Sequence, residues 1–425
     1  MKVTKVAQVI KNEQVMDVSV DVHKEDLYAL ARVPGKEYAE TFKNSTPRIR
    51  KIVKDYQKIA QEHGCAQVRI ICEPTGVYDR KLLQTARLLG ALTSYVNAEA
   101  VSKFRVVENN DNNKTDTADP GVILRMAEHG HTIKHRILDD DYVVLRKLGS
   151  ILDDEEVMLV RIRGVISQIR EELFCEWDFD KDFLYGNSGR ALLDKYAVNP
   201  YKIVRSGFGR FSSVMKRAVP RIRRTTLERL WVQAQRAVLN EQPESYIAVL
   251  EKRLKDLYED YWVHKHRKTG IEEEMVTILR RLRAKDPTIP TATPGVISEK
   301  NLARLLGETG PLSDFDSVKQ IMRYAGLNLC MRQSGQYQGK YKISKKGRSL
   351  LRKILSQIAL QLVRKGALYG DYYHEKKERQ ALPGTKALTI VMRHFLRKFY
   401  GWYRSQQDFD KKRFFTCQAE YKKVA

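Results

Sequence analysis

The sequence predicts an α/β domain followed by an all-α remainder, and three observations carry that prediction. Strand-like and helix-like runs alternate through the first hundred residues. Two long middle stretches place apolar residues at alternating three- and four-residue spacing, and beyond residue 287 short apolar helices flank a polar loop. A chain of 425 residues exceeds one ordinary core. It divides most naturally into a mixed-sheet domain at 1–135, a helical coiled-coil domain at 136–286 with a basic insert at about 177–245, and a mainly helical domain at 287–425.

Val15–Asp21 is an apolar strand, Leu27–Arg32 its expected hairpin partner across the polar HKED, and Tyr38–Phe42 a third strand. Ser45, Thr46 and Pro47 are start signals for a helix running to Gln61. Gln67–Cys72 (QVRIIC) is strongly β-forming, Val77–Leu89 is an amphipathic helix stopped by Gly90, and Ala91–Val96 is another strand. The hairpin makes the sheet mixed.

The heptad seam of the middle region runs Leu145, Leu148, Leu152, Leu159, Ile162, Ile166, Ile169, Leu173, with Glu155 its one charged position. Ile247, Leu250, Leu254, Leu257 and Tyr261 repeat it; periodicity leaves open an antiparallel return or pairing with another chain. Pro294–Gly295 and the leucines 302, 305 and 306 suggest a helix-hairpin-helix element whose turn amides face a phosphate. Pro-Gly turns are common, so the signal is weak alone.

Lysine plus arginine total 77 against 52 aspartate plus glutamate, a net charge of +25 that points to a polyanionic partner. The excess is local. Residues 1–200 hold 30 basic and 31 acidic side chains, whereas 201–240 hold 10 and 1, and 311–425 hold 25 and 8. In the first basic run Arg210, Lys216, Arg217, Arg221, Arg223 and Arg224 interleave with Phe208, Phe211 and Trp231. A charge run is usually a solvated face. Arginines among aromatics with almost no acids better fit phosphate neutralisation plus base stacking. Lys340, Lys345, Lys346, Arg348 and Arg352 are the corresponding candidates in the second.

No uncharged apolar run approaches the roughly 18 residues of a membrane span, and no apolar segment follows the lysines of MKVTKVAQVIKNEQV. The chain is expected to be cytoplasmic. Its five cysteines (65, 72, 175, 330, 417) show no metal spacing and read as reduced, mainly packing thiols.

Asp21 and Glu73 end two strands, so both belong at the carboxyl edge where open α/β sheets place their sites; Asp116 and Asp119 follow in NNKTDTADPG. Four converging carboxylates suit Mg²⁺ and two-metal phosphoryl transfer, because a hard cation prefers oxygen ligands. The structural alternative stands beside it. An aspartate at a strand end is commonly a turn or cap residue, and Asp119 before Pro120 has the placement of a helix N-cap. In the C-terminal loop Ser334, beside Gly335, is a possible exposed nucleophile or an ordinary loop serine, and Ser344 is expected to cap the following helix.

Together, Asp21 in VSVDVHKE, Glu73 in CEPTGVY, Asp116 and Asp119 in NKTDTAD, the TPGV turn and the AGL, SG, ISKKG and LR series resemble the DEDD transposases of bacterial insertion sequences, which include the bridge-RNA-guided recombinases. The resemblance runs in order over most of the chain. It implies a RuvC-like, ribonuclease-H-type first domain, a coiled-coil domain and a C-terminal transposase domain. It further implies that Asp21, Glu73, Asp116 and Asp119 bind Mg²⁺ and that Ser334 attacks DNA phosphate to form a phosphoserine link. Composite sites from a dimer or tetramer, donor and target DNA, a structured guide RNA, and a nucleoid-associated cytoplasmic location follow from it as well. Two departures stand out: Pro120 follows the fourth carboxylate, and about 65 residues separate the coiled segments. A RuvC-like resolvase using water, or a catalytically dead nucleic-acid-binding derivative, would share most of these residues.

Overall fold

The computed structural model describes residues 15–109, 118–331, 333–334, 337–338 and 341–410. The chain divides into two compact units, Met1–Ile137 and Leu138–Ala425.

In the first unit, β1 (Val15–Val22), β2 (Asp26–Val33) and β3 (Lys36–Lys43) form an antiparallel meander. After α1 (Thr46–Glu62), β4 (Gln67–Cys72) joins β1 in parallel; after α2 (Asp79–Leu88), β5 (Leu92–Tyr95) joins β4 in parallel. Helices α3 (Ala98–Asn109) and α4 (Ala118–Glu128) precede the short β6 (Ile133–Lys134), which closes the order β3-β2-β1-β4-β5-β6. Strand alternation sorts side chains between two layers. Val18, Val20, Ile70 and Cys72 pack with Ile49, Val53 and Leu82 of α1 and α2, whereas Ile71 packs with Val101, Val122 and Ile123 of α3 and α4. The second helix starts at Asp79 rather than Val77, because Gly76 at φ +78° and the Asn44 amide bonded to the Tyr78 carbonyl keep the preceding residues in a turn.

The second unit is mostly helical. It contains α5 (Asp140–Leu173), α6 (Asn187–Tyr196), α7 (Pro200–Ser206), α8 (Phe208–Ala218), α9 (Arg224–Ala237), α10 (Glu244–Lys285), α11 (Glu299–Thr309) and α12 (Val318–Tyr324). Strands β7 (Leu329–Cys330), β8 (Gln333–Ser334), β9 (Tyr337–Gln338) and β10 (Lys342–Ile343) follow, then α13 (Ser349–Leu362), α14 (Gly370–Glu378) and α15 (Gly384–Ser405). The open question of the second heptad segment is answered within the chain: α10 returns antiparallel along α5. Tyr246 hydrogen-bonds Glu172 at one end, and Arg281 and Lys285 hold Asp141 at the other. The pair serves two cores. Leu159–Leu173 of α5 and Ile247–Tyr261 of α10 pack with α6–α9, whereas Tyr142–Leu152 and Met275–Leu282 pack with α11–α15.

Between these cores the seam turns polar. Glu155 meets His264 Nδ1 at 2.5 Å, and Glu156 accepts from Lys268 (3.0 Å), Gln357 (3.0 Å) and Arg304 (3.2 Å). The turn at 293–297 is closed by its own bonds: Val296 and Ile297 both donate to the Thr293 carbonyl, and Ser298 caps α11 through the Asn301 amide. Those two amides are therefore not offered to a phosphate. Cys72 is a packing thiol and the half-buried Cys65 packs against the same core, whereas Cys175 and Cys330 are exposed on loop and ribbon, and Cys417 lies outside the described residues. Among the described residues no helix is long and apolar enough to cross a membrane.

Burial alone would raise the Glu156 carboxyl, but Arg304, Gln357 and Lys268 outweigh it and hold it below the ordinary range. Glu156→Ala is expected to cost about 3 to 5 kcal/mol, read from the denaturation midpoint, because the Arg304 guanidinium stays buried without its carboxylate. A depressed folded pKa gives stability that is complete above the unfolded pKa and lost as pH falls through the folded one. The gap between parent and variant should therefore close as the pH falls through the depressed folded pKa, below the ordinary glutamate range.

Candidate active site

The parallel register sets Val20 of β1 opposite Cys72 of β4, so one step further Asp21 and Glu73 lie side by side at the carboxyl ends of neighbouring strands. Both are half-buried, on the sheet face that carries Ser19 and Ile71 and packs against α3 and α4. Asp21 also hydrogen-bonds His23 Nε2 at 3.1 Å, a contact that periodicity did not single out. Farther back on the same face Arg69 makes two 2.7 Å bonds to Asp17, fixing the two strands against each other.

Asp119 is not an N-cap. Helix α4 begins at Ala118, so Asp119 and Pro120 both occupy its first turn, where the missing proline N–H has no helical partner to lose. Asp119 is buried and ion-paired with Arg105 of α3. The pair is a charge contact rather than an aligned hydrogen bond, since Asp119 Oδ1 and Arg105 Nε have no hydrogen-bond partner among the described residues. Nothing in the spacing of positions 105 and 119 announced it. Asp116 lies outside the described residues, and among those described no three His, Cys, Asp or Glu side chains form a metal-ligand group. The structure thus brings Asp21 and Glu73 to one sheet edge and commits Asp119 to arginine. Two carboxylates suit the donor chemistry of Mg²⁺, which is commonly held by one or two carboxylates plus substrate phosphate oxygens and waters.

In the second unit, the stretch read as a polar loop contains two short ladders: β7 with β10, and β8 with β9, where Ser334 pairs with Tyr337. The base of this ribbon is close-packed. A Cβ on Gly347 would come within 2.5 Å of the Gly326 nitrogen and the Tyr324 oxygen, and Gly326 itself sits at φ +67°. Arg352 donates to the Ala325 and Gly347 carbonyls, and Arg348 donates to the buried Glu308 at 2.6 and 3.2 Å. These two arginines, also expected to face nucleic acid, hold the ribbon to α11 and α12. Lys345 and Lys346 are exposed, and Lys340 lies outside the described residues. Ser344 does not cap α13, which begins at Ser349; its hydroxyl meets Asn328 Oδ1 at 2.5 Å and ties the ribbon's two sides together.

The basic insert separates its residue types. Arg210, Lys216, Arg217, Arg221, Arg223 and Arg224 are exposed, whereas Phe211 is fully buried and the half-buried Phe208 and Trp231 pack on one another at 5.7 Å against the core. Phe211 is therefore committed to the core, and all three rings help anchor α8 to α9. Arg221 and Lys195 line a groove of about 430 Å³ between α6 and the α8–α9 connection, with Asp194 its one carboxylate.

A mixed sheet with paired carboxylates at its carboxyl edge, in a chain whose second unit carries the basic excess, describes an enzyme that works on nucleic acid. The chain belongs to the IS110-family transposases. Residues 18–163 match the DEDD transposase model of that family and residues 291–374 match the transposase IS116/IS110/IS902 family, together more than half of the chain. No curated protein matches it.

Arg105→Leu is expected to destabilise the first unit by about 3 kcal/mol, because Asp119 is left buried and unpaired, and Asp119→Asn in that background should recover part of the loss. Thermal midpoints of the two variants check the pairing.

Proposed function

We propose that this transposase cuts and rejoins DNA through a covalent phosphoserine at Ser334, with Asp21, Glu73, Asp116 and Asp119 as Mg²⁺ ligands in a RuvC-like domain. The observation that carries the metal reading is the register placing Asp21 beside Glu73 at the ends of parallel strands. A meander followed by parallel strands in the order β3-β2-β1-β4-β5 supports the RuvC-like assignment. Asp119 would join the ligand set on release from Arg105. When bound, Mg²⁺ offsets phosphate charge and stabilises the attacking and leaving oxygens.

The serine step balances without an external energy source. The Ser334 oxygen forms a bond to phosphorus as the bond to the leaving sugar oxygen breaks; the serine gives up its proton and the leaving oxygen gains one. One phosphodiester is exchanged for one phosphoserine ester, so the reverse step with a new sugar hydroxyl rejoins strands. The carboxylates and Ser334 belong to different units, and a dimer or tetramer could supply them from different subunits. Exposed Arg210, Lys216, Arg217, Arg221, Arg223, Arg224, Lys345 and Lys346, with Lys340, would grip the backbones of DNA and of a structured guide RNA, whose base pairing reads sequence. Arg348 and Arg352 would position the ribbon.

Incubating the protein with its element's DNA ends and Mg²⁺ should give protein covalently attached to DNA, and Ser334→Ala should abolish the adduct. Free cleaved ends without adduct would instead identify hydrolysis by water. Asp21→Asn or Glu73→Gln should stop the reaction while binding persists. Neutralising Arg221, Arg223 and Arg224 to glutamine should flatten the salt dependence of binding by roughly 0.9 per lost phosphate contact; an unchanged slope would mark that run as solvated surface only.

A further inference from the structure

Helix α15 spans 22 residues, GTKALTIVMRHFLRKFYGWYRS, without a single aspartate or glutamate, and it lies outside both ranges matched by the family models. One side is core: Ala387, Val391, Phe395, Phe399 and Tyr403 are buried against α12, α13 and α14. Lys386, Arg393, Arg397 and Arg404 fall on another line. With separations of 7, 4 and 7 residues, all four lie within about 20° of one line along the helix, so the cations form one ridge about 27 Å long.

This ridge lacks counter-charges. None of the four has an ion-pair partner among the described residues, and the Arg393 Nε is buried with no hydrogen-bond partner. Burial, then the neighbouring Arg397, holds Arg393 below its ordinary value. His394 adds no charge: Tyr369 hydrogen-bonds it at 2.8 Å, and burial with Lys398 and Arg397 lowers it to about 4. Like charges one helical turn apart oppose folding. A helix that served only to pack would be more stable with a glutamate at one of these positions.

We propose that the α15 ridge is a binding site for the phosphodiester backbone of nucleic acid, built from residues that belong neither to the proposed strand chemistry nor to the basic insert. Phosphates recur every 3.4 Å or so of axis along one strand, so a ridge of this length spans the rise of about eight of them and can meet those on the duplex side that faces it. Arginine's fork fits phosphate, which accounts for three of the four positions. The proposal goes beyond the phosphoserine reading and stands or falls without it.

The test uses the full chain carrying Ser334→Ala, in EDTA, so that no reaction contributes. Binding to a duplex DNA and to an RNA hairpin of equal length is followed by fluorescence anisotropy across a salt series. The triple variant Arg393→Gln, Arg397→Gln, Arg404→Gln should weaken binding roughly tenfold to hundredfold at about 0.1 M salt and lower the salt slope by about 2 to 3. The double variant Arg397→Gln, Arg404→Gln, which touches only exposed positions, guards against misfolding and should lower the slope by about 2; the lysine versions should retain most of it. Loss in the DNA arm assigns the ridge to DNA, and loss in the RNA arm assigns it to RNA. A folded double variant with unchanged affinity and slope in both arms overturns the proposal.

Discussion

The second unit depends on the antiparallel pairing of α5 with α10, because each helix supplies one end to each of two cores. Two leucine seams alone would leave the register of such a pair poorly fixed, since a slide by one heptad restores most apolar contacts. The charged waist removes that freedom. Glu155 and Glu156 meet His264 and Lys268 only in this register, and a slide by one heptad would set those carboxylates against Leu257 and Tyr261 or Ile271 and Met275. Buried ion pairs contribute little net stability but penalise their own disruption heavily, which is the property a register lock requires. The same waist reaches Gln357 and, through Asp153, Lys353 of α13, so the register of the helix pair also sets the position of the C-terminal core.

From that core the constraint passes to the ribbon bearing Ser334. Arg146 on α5 donates to the Gly307 and Glu308 carbonyls and to the Tyr324 hydroxyl, and Glu308 in turn holds Arg348. Gly326 and Gly347 then bring the two sides of the ribbon base into backbone contact that no Cβ could enter. The AGL and ISKKG motifs thus acquire a physical meaning: they are two halves of one joint. The lysines of the second motif stay outside it, whereas the arginines at 348 and 352 are consumed in building it.

What was legible in the sequence follows the range of the interactions. Strands β1 and β4 and the seam of α5 show in local periodicity, because each buries one face continuously, and the first fixes Asp21 and Glu73 at a common edge. The Arg105–Asp119 pair, the partners of Glu156 and the engagement of Arg348 join residues 14, 112 to 201 and 40 positions apart, and a single charged residue carries no mark of such a partner. The ribbon escaped notice because strands of two residues have no period. Ser344 followed by a basic helix resembles a cap, but the intervening Gly347 belongs to the joint, which displaces the helix start to Ser349.

The inward turn of Phe208, Phe211 and Trp231 changes how the basic excess can act. A surface that binds single strands combines cations with exposed rings. Here the rings hold α8 and α9 together, with Phe211 fully buried and Phe208 and Trp231 half-buried, so the fully exposed side chains of the run are its cations, which suit a regularly spaced backbone. Helix α15 repeats this division, with aromatics on its buried side and arginines along its outer line. Such surfaces sense charge spacing and groove shape but little sequence.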